Sequence, residues 1–445
     1  MSGRRSPSTF TIRTFGCQMN EHDSEKMSRL LLDMGLRPAG DSIPADLVII
    51  NTCSVRAKPE HKALSEAGRY QSARRHRGTL VLLTGCVAQQ EGQKLLKKVD
   101  YLDAVLGPDA IGRLPDIVSR LSRGQGPLLD VQLHTRSEPR FINVDPPLRA
   151  GPKALVTIMK GCDNFCSYCI VPYVRGREVS RPAGDILREV ESLARAGCRE
   201  VTLLGQNVNS YHDARGTGFA QLLRALNEQA AVERIRFTSS HPRDVDEQMI
   251  AVVAECQRVC EHVHLGLQSG SDSVLRRMNR GYRGDEFLDK ALRLRQVVPQ
   301  IAITTDIIVG FPGENESDFQ RTLAIVEQVR FDQAYSFKYS PRPLTAAARW
   351  PDDVPAEIKT ERLERLQLLI SECEQERLSL QVGSRQQVLV EGTSIRDSQA
   401  WRGRTRSNQV VNFSSNGRLL PGQLVEVEIV EVRGHTLWGR MLDNG

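Results

Sequence analysis

The sequence predicts an α/β protein in three parts: an N-terminal parallel α/β domain, a central partial (β/α)6 barrel and a C-terminal small antiparallel β-barrel. Three observations predict it. Short apolar runs alternate with charged stretches of helical length in the first part of the chain, and the same alternation restarts at Ala154 after a proline-rich break. Beyond Gly383 single apolar and polar residues alternate instead, with glycines between. A chain of 445 residues, 40% of them hydrophobic, holds enough apolar material for two or three cores of ordinary size.

In order along the chain, TFTIRTFG from Thr9, DLVIINT from Asp46 and TLVLLTG from Thr79 read as buried strands of a parallel sheet. The segment from Arg120 to Lys153, with Pro127, Pro139, Pro146, Pro147 and Pro152, breaks the pattern and places the first boundary. Six further strands follow: ALVTIMKG, EVTLLGQ, RIRFTSS, HVHLGLQ, AITTDIIVG and QAYSFKYS, which suit a (β/α) barrel short of eight units. One helix after Pro355 sets Leu363, Leu366, Ile370 and Cys373 on one face. QQVLVEG and QLVEVEIVEV then read as strands of a small barrel. The expected domains are 8–125, 150–380 and 383–445.

No stretch approaches eighteen consecutive apolar residues, and the N-terminus has arginines without an apolar run, so neither a membrane span nor export is expected. A cytoplasmic protein of this length has no use for a disulfide framework, and its ten cysteines must be read as metal or redox chemistry. The net charge of +6 permits a polyanionic partner without demanding one.

The strongest signal is GCDNFCSYC, in which Cys162, Cys166 and Cys169 follow a barrel strand, where active sites gather. Three thiolates this close suit three irons of a four-iron cluster and leave the fourth iron open to another ligand. Zinc fits a triplet with no fourth Cys or His nearby poorly. A second set is dispersed: Cys17, Cys53 and Cys86 each sit just beyond a different strand of the first sheet, and in a parallel sheet those ends share one edge. A second three-cysteine cluster is the expectation. Cys198, Cys256, Cys260 and Cys373 lack partners of this kind and read as structural.

C-x3-C-x2-C with Tyr168 before the last cysteine resembles the radical S-adenosylmethionine (SAM) signature. Taken with the dispersed set Cys17, Cys53 and Cys86, and with NTCSVRAKPE, LLGQNVNSY, QSGSDSVLRRMNRGY and DIIVGFPGE, the chain resembles the methylthiotransferases, in their tRNA-modifying branch, over essentially its whole length. Lys160 departs from that pattern, standing where an acidic residue commonly precedes the GC pair. The resemblance implies an enzyme that replaces the hydrogen on carbon 2 of N6-isopentenyladenosine, next to the anticodon, with a methylthio group. It implies two 4Fe-4S clusters and two SAM molecules per turnover. Cys162, Cys166 and Cys169 would hold the SAM-cleaving cluster, and Cys17, Cys53 and Cys86 the auxiliary cluster that carries sulfur. It also implies an electron donor such as flavodoxin or ferredoxin, a sulfur source, and a monomer.

Polar residues at barrel strand ends, Gln206, Asn207, Gln268, Ser269 and Asp306, together with Tyr168, are the expected SAM contacts. The C-terminal region resembles a TRAM domain, an RNA-binding barrel. Arg402, Arg404 and Arg406 are expected to meet phosphates, with Phe413 and Trp438 in the core, and Arg175 and Arg177 to meet RNA beside the cysteine loop. Two rivals remain: a methylthiotransferase acting on threonylcarbamoyl-adenosine or a ribosomal-protein aspartate, and an RNA-binding iron-sulfur redox sensor without catalysis.

Overall fold

The computed structural model describes residues 6–40, 45–54, 57–133, 141–142, 150–229, 231–395, 397–415 and 417–442. Pro139, Pro146 and Pro147 of the expected break lie outside the described residues. The chain forms two compact units, the first comprising 1–145 with Met159–Phe165 and Cys169–Val179, the second Pro146–Ile158, Cys166–Tyr168 and Ser180–Gly445.

In the first unit, strands β1 (Thr9–Phe15), β2 (Arg37–Pro38), β3 (Leu47–Thr52), β4 (Leu80–Gly85), β5 (Ala104–Leu106) and β6 (Leu128–Asp130) form one parallel sheet in the order β2-β1-β3-β4-β5-β6. β3 and β4 are buried along their whole length, which is why both read as unbroken apolar runs. Their side chains alternate between two cores. Leu47 and Ile49 join Leu80, Leu82, Met27 and Leu31 on one face, while Val48 and Ile50 join Val81 and Leu83 on the other. The order of strand addition reverses at β1, with β2 on one side of it and β3 on the other, so the sheet has its switch point, and the crevice that goes with it, at the carboxyl ends of β1 and β3.

β7 (Lys153–Thr157) belongs to the second unit, and the short paired strands β8 (Met159–Lys160) and β9 (Val179–Ser180) that follow it along the chain fall, up to Val179, in the first. β10 (Glu200–Leu204) and β11 (Arg234–Phe237) make one parallel sheet with β7; β12 (His262–His264), β13 (Ala302–Val309) and β14 (Gln333–Lys338) make another. Parallel bridges Ile235 to Val259 and Ser240 to Leu265 join the two sheets. The result is the six-stranded partial barrel the sequence implied. Helix Ala356–Ser379 follows it, burying Leu366, Ile370 and Cys373.

β15 (Arg385–Thr393), β16 (Trp401–Thr405), β17 (Val410–Ser414), β18 (Leu424–Arg433) and β19 (Thr436–Met441) close a small barrel around Val388, Val390, Val411, Phe413, Val427, Ile429 and Leu437. Four of its five pairings are antiparallel, as expected, and the seam between β17 and β19 is parallel. Phe413 is core as expected. Trp438 is not: Leu437 and Gly439 point inward, so the period of two turns Trp438 to the outer face, beneath the Arg433 guanidinium at 3.9 Å.

Candidate functional site

The three N-terminal cysteines meet because their strands end in register. Phe15 pairs with Thr52 and Thr52 with Gly85, and one or two residues later come Cys17, Cys53 and Cys86. The Cys53 N–H donates to the Phe15 carbonyl at 3.0 Å, continuing the ladder past the last paired residue. Close approach depends on two glycines. A Cβ on Gly16 would lie 2.5 Å from the Cys53 Cβ, and one on Gly85, whose φ is +94°, would lie 2.4 Å from the Thr52 carbonyl oxygen.

Cys17 opens helix Gln18–Asp33 and Cys86 opens helix Cys86–Glu91, so both thiols sit at helix N-termini, which favour thiolate. The Cys53 side chain hydrogen-bonds both. That bond, and then the Arg175 charge, lower Cys17 to about 6. Cys86 falls to about 7 for the same reasons in the same order, while Cys53, shared between two sulfurs and buried, is pushed up. Cys53 and Cys86 are buried and Cys17 is exposed, so the thiols line the site from inside to rim. Asn20 and Asn51, both buried, lock helix to strand: Asn20 Nδ2 donates to Asn51 Oδ1 at 2.9 Å and Asn51 Nδ2 to the Asn20 carbonyl at 2.8 Å. Asn20 also accepts from the Cys17 thiol at 3.3 Å. Neither asparagine stood out in the sequence, although an Asn two residues before Cys53 and another three after Cys17 were the available signal.

Arg175 corrects an expectation. It was placed against RNA because it follows the cysteine loop, yet it is only 4% exposed. Its Nη2 donates to Asp23 Oδ2 at 2.9 Å, and its side chain hydrogen-bonds Cys86. Short helix Val171–Arg175 delivers it, with Ile170 and Val174 packed on Cys86. Arg177 by contrast is exposed, forked onto Asp163 at 2.6 and 3.1 Å and stacked on Phe165.

On the other cysteine loop, Cys162 donates its N–H to Gly176 at 3.2 Å. Cys166 accepts from Nη1 of Arg280 at 3.4 Å, and Arg280 is itself buried, its Nη2 on the Gly266 carbonyl at 2.8 Å. Each set thus has one buried arginine donating to a cysteine sulfur. Tyr168 is half-buried, edge-on to Phe311 at 6.3 Å.

Among the expected SAM contacts, Gln206 is half-buried at the end of β10, and Asp306, on β13, accepts from or shares a proton with His264 Nε2 at 3.2 Å. Gln268 sits at φ +65° with its N–H on the Asp306 carbonyl. Asn207 and Ser269 are corrections. Asn207 is buried, donating to Asp244 at 2.7 Å and accepting from the His241 N–H, and Ser269 is fully buried, its Oγ taking the Ser271 N–H. Both side chains are spent on holding loops.

The C-terminal arginines divide. Arg404 donates to Glu391 at 3.1 Å and Arg406 forks onto Glu261 at 2.8 Å, while Arg402 Nε stands farther from Glu391, at 3.7 Å. Arg402, opposite Asn412 in register, which in turn is opposite Trp438, lines a groove of about 660 Å³ on the outer face with Val410, Arg433 and His435.

Ten free cysteines, and two sets of three at strand ends with a cationic donor each, fit thiolate-held iron-sulfur centres. Among the described residues no group of His, Cys, Asp or Glu surrounds a single-ion position. A polynuclear cluster, in which each iron takes its own thiolate, has no need of one.

Residues 156–326 match the radical SAM superfamily, 9–107 the uncharacterized protein family UPF0004, and 379–442 the TRAM domain. The chain is 49% identical over 440 residues to a tRNA-2-methylthio-N(6)-dimethylallyladenosine synthase of Geobacter metallireducens, with 97% of each chain covered. It is 47% identical to one of the same name from Myxococcus xanthus, covering 97% of this chain and 94% of that one. Among solved structures it is similar to the radical SAM methyltransferase TsrM of Kitasatospora setae with cobalamin and a 4Fe-4S cluster bound, at 15% identity and TM-score 0.57, covering 77% of this chain and 74% of that one. The cobalamin-dependent SAM radical enzyme OxsB matches at 13% identity and TM-score 0.53, covering 82% and 56%.

Proposed function

Because this chain belongs to the family of tRNA-2-methylthio-N6-dimethylallyladenosine synthases, we propose that it carries out that family's reaction with the residues described above. It is a radical SAM enzyme, a transferase that places a methylthio group on carbon 2 of N6-dimethylallyladenosine in tRNA. The observation that carries the division of labour is the meeting of Cys17, Cys53 and Cys86 at one sheet edge, apart in sequence from Cys162, Cys166 and Cys169.

When bound, two 4Fe-4S clusters and SAM supply one-electron cleavage of SAM and a transferable sulfur, chemistry that no side chain offers. Cys162, Cys166 and Cys169 would hold the first cluster, with Arg280 steadying Cys166. Cys17, Cys53 and Cys86 would hold the second, their spacing fixed by Gly16, Gly85 and the Asn20–Asn51 pair. Tyr168, Gln206, Gln268 and Asp306 remain the side chains proposed to face SAM. The outer face of the C-terminal barrel, with Arg402, Asn412 and Trp438, would grip the tRNA, and exposed Arg177 would add a further contact once released from Asp163. The nucleotide next to the anticodon is the proposed target and two SAM molecules are consumed per turnover. A flavodoxin- or ferredoxin-type donor supplies the electron, and the chain works as a monomer. No helix of the described residues is long and apolar enough to cross a membrane.

Mass spectrometry of tRNA nucleosides from a strain lacking this protein tests the reading. Loss of the 2-methylthio nucleoside with accumulation of N6-dimethylallyladenosine supports it, and an unchanged nucleoside pool contradicts it.

A further inference from the structure

Lys160 and Arg175 bracket the radical SAM cysteines in sequence, two residues before Cys162 and six after Cys169. Both side chains are nevertheless buried in the N-terminal unit, at 5% and 4% exposure. Arg175 bridges Asp23, at 2.9 Å, and the sulfur of Cys86. Lys160 faces Asp109 at 3.9 Å and lies within reach of the charges of Asp23, Lys26 and Arg175. Arg175, Lys160, Lys26, Asp23 and Asp109 are all buried, and among them Arg175 acts directly on the thiols of Cys17 and Cys86.

Such burial is costly. Each ion loses several kcal/mol of hydration, and a charge is kept inside only where an opposite charge meets it. A four-iron centre held by three thiolates is net negative and becomes more so on reduction, so a buried guanidinium that hydrogen-bonds one of its sulfurs favours the reduced form.

We propose that Arg175, aided by Lys160, is a positioning residue that balances the charge of the auxiliary centre on Cys17, Cys53 and Cys86 and so sets its reduction potential. The proposal rests on the reading of those cysteines as ligands. It also gives the departure at Lys160 a role. The segment that follows Cys169 thereby places a cation against the other cluster's site, with Lys160, ahead of Cys162, acting through Asp23 and Arg175.

The test uses the full-length chain with Cys162→Ala, Cys166→Ala and Cys169→Ala, reconstituted anaerobically with iron and sulfide, so that only the auxiliary centre is present. Iron content is read first. About four irons per chain are expected, and an iron-free protein overturns the ligand assignment and the proposal with it. With iron bound, a redox titration followed by electron paramagnetic resonance reads the midpoint potential. Arg175→Gln and Lys160→Met are expected to shift it negative, Asp23→Asn to shift it positive, and Arg175→Lys to leave it nearly unchanged. Opposite signs follow from charge and not from a packing defect, which would deplete iron in all variants alike. Should Arg175→Gln fail to fold, Lys160→Met and Asp23→Asn still carry the comparison. Potentials that do not move, or that move the same way when a cation and when Asp23 is neutralised, overturn the proposal while leaving the ligand assignment standing.

Discussion

The guanidinium of Arg234, fully buried on β11, donates to the backbone carbonyl of Arg404 at 2.9 Å. Its other terminal nitrogen reaches the Gln387 carbonyl at 2.7 Å, and Arg236 beside it donates to the carbonyls of Thr405 and Arg406, both at 2.7 Å. Glu200 on β10 receives Arg236 at 3.0 Å. The floor of the partial barrel is therefore stoppered by the β16–β17 turn of the C-terminal barrel, and the two fold as partners within the second unit.

Replacing Arg236 by Met should lower stability by about 3 kcal/mol, since it leaves Glu200 buried without its closest cation and removes the guanidinium donor from the carbonyls of Thr405 and Arg406. Chemical denaturation gives the loss, and limited proteolysis should now cut between 380 and 385. A variant as stable as the parent would show that the stopper is ornamental.

RNA binding should separate the two faces of the C-terminal barrel. Trp438→Ala is expected to weaken tRNA affinity by about 1–3 kcal/mol if a base stacks there, with the salt dependence unchanged. Arg402→Gln should instead reduce the slope of log affinity against log salt by about 0.7 to 0.9. Arg406, held by Glu261, should leave that slope alone when replaced by Gln. Equal slopes for the Arg402 variant and the parent would remove this face from the tRNA site.

Two histidines predict an acid limb. Burial, then the Arg280 charge, depresses His241 to about 2, and burial, then Arg236, depresses His262 to about 3. Both lie below the free value of 6.5, so the unfolded chain takes up these protons first and stability is lost as pH falls below about 6.5. Each contributes a slope of about 1.4 kcal/mol per pH unit down to its folded pKa. Denaturation of the parent and of a His241→Asn, His262→Gln variant at pH 7, 6 and 5 should show a flatter limb in the variant. Parallel limbs would mean that the histidines do not titrate with unfolding.

The architecture and the cysteine sets were legible because both depend on periodicity. Buried parallel strands announce themselves as apolar runs, and in a parallel sheet whatever follows successive strands meets at one edge, which is how Cys17, Cys53 and Cys86 came together. Direction of side chains was less legible. Arg175 and Arg280 lie near cysteine loops in sequence or space, but nothing in a basic residue's identity says whether its fork meets phosphate or a buried carboxylate and thiol. Trp438 was misplaced by one step of a two-residue period, and Asn207 and Ser269 by the similarity between a polar residue that faces a site and one that holds a loop. The strands Ala104–Leu106 and Leu128–Asp130 are three residues each, too short for a pattern to emerge.

The cysteine sets should be separable in SAM chemistry. Cys17→Ala, Cys53→Ala, Cys86→Ala should retain about half of roughly eight irons and still release 5'-deoxyadenosine from SAM, with no methylthiolated base. Methylthiolation surviving in that variant would sink the proposed division of labour.

The most direct measurement is a defined turnover. The parent protein, reconstituted anaerobically with both clusters, is given SAM, a strong reductant, and tRNA containing N6-dimethylallyladenosine, and the digested nucleosides are weighed by mass spectrometry. The account predicts conversion to the 2-methylthio nucleoside with 5'-deoxyadenosine and S-adenosylhomocysteine formed alongside. Release of 5'-deoxyadenosine from fully loaded protein while the tRNA base stays unmodified would contradict it.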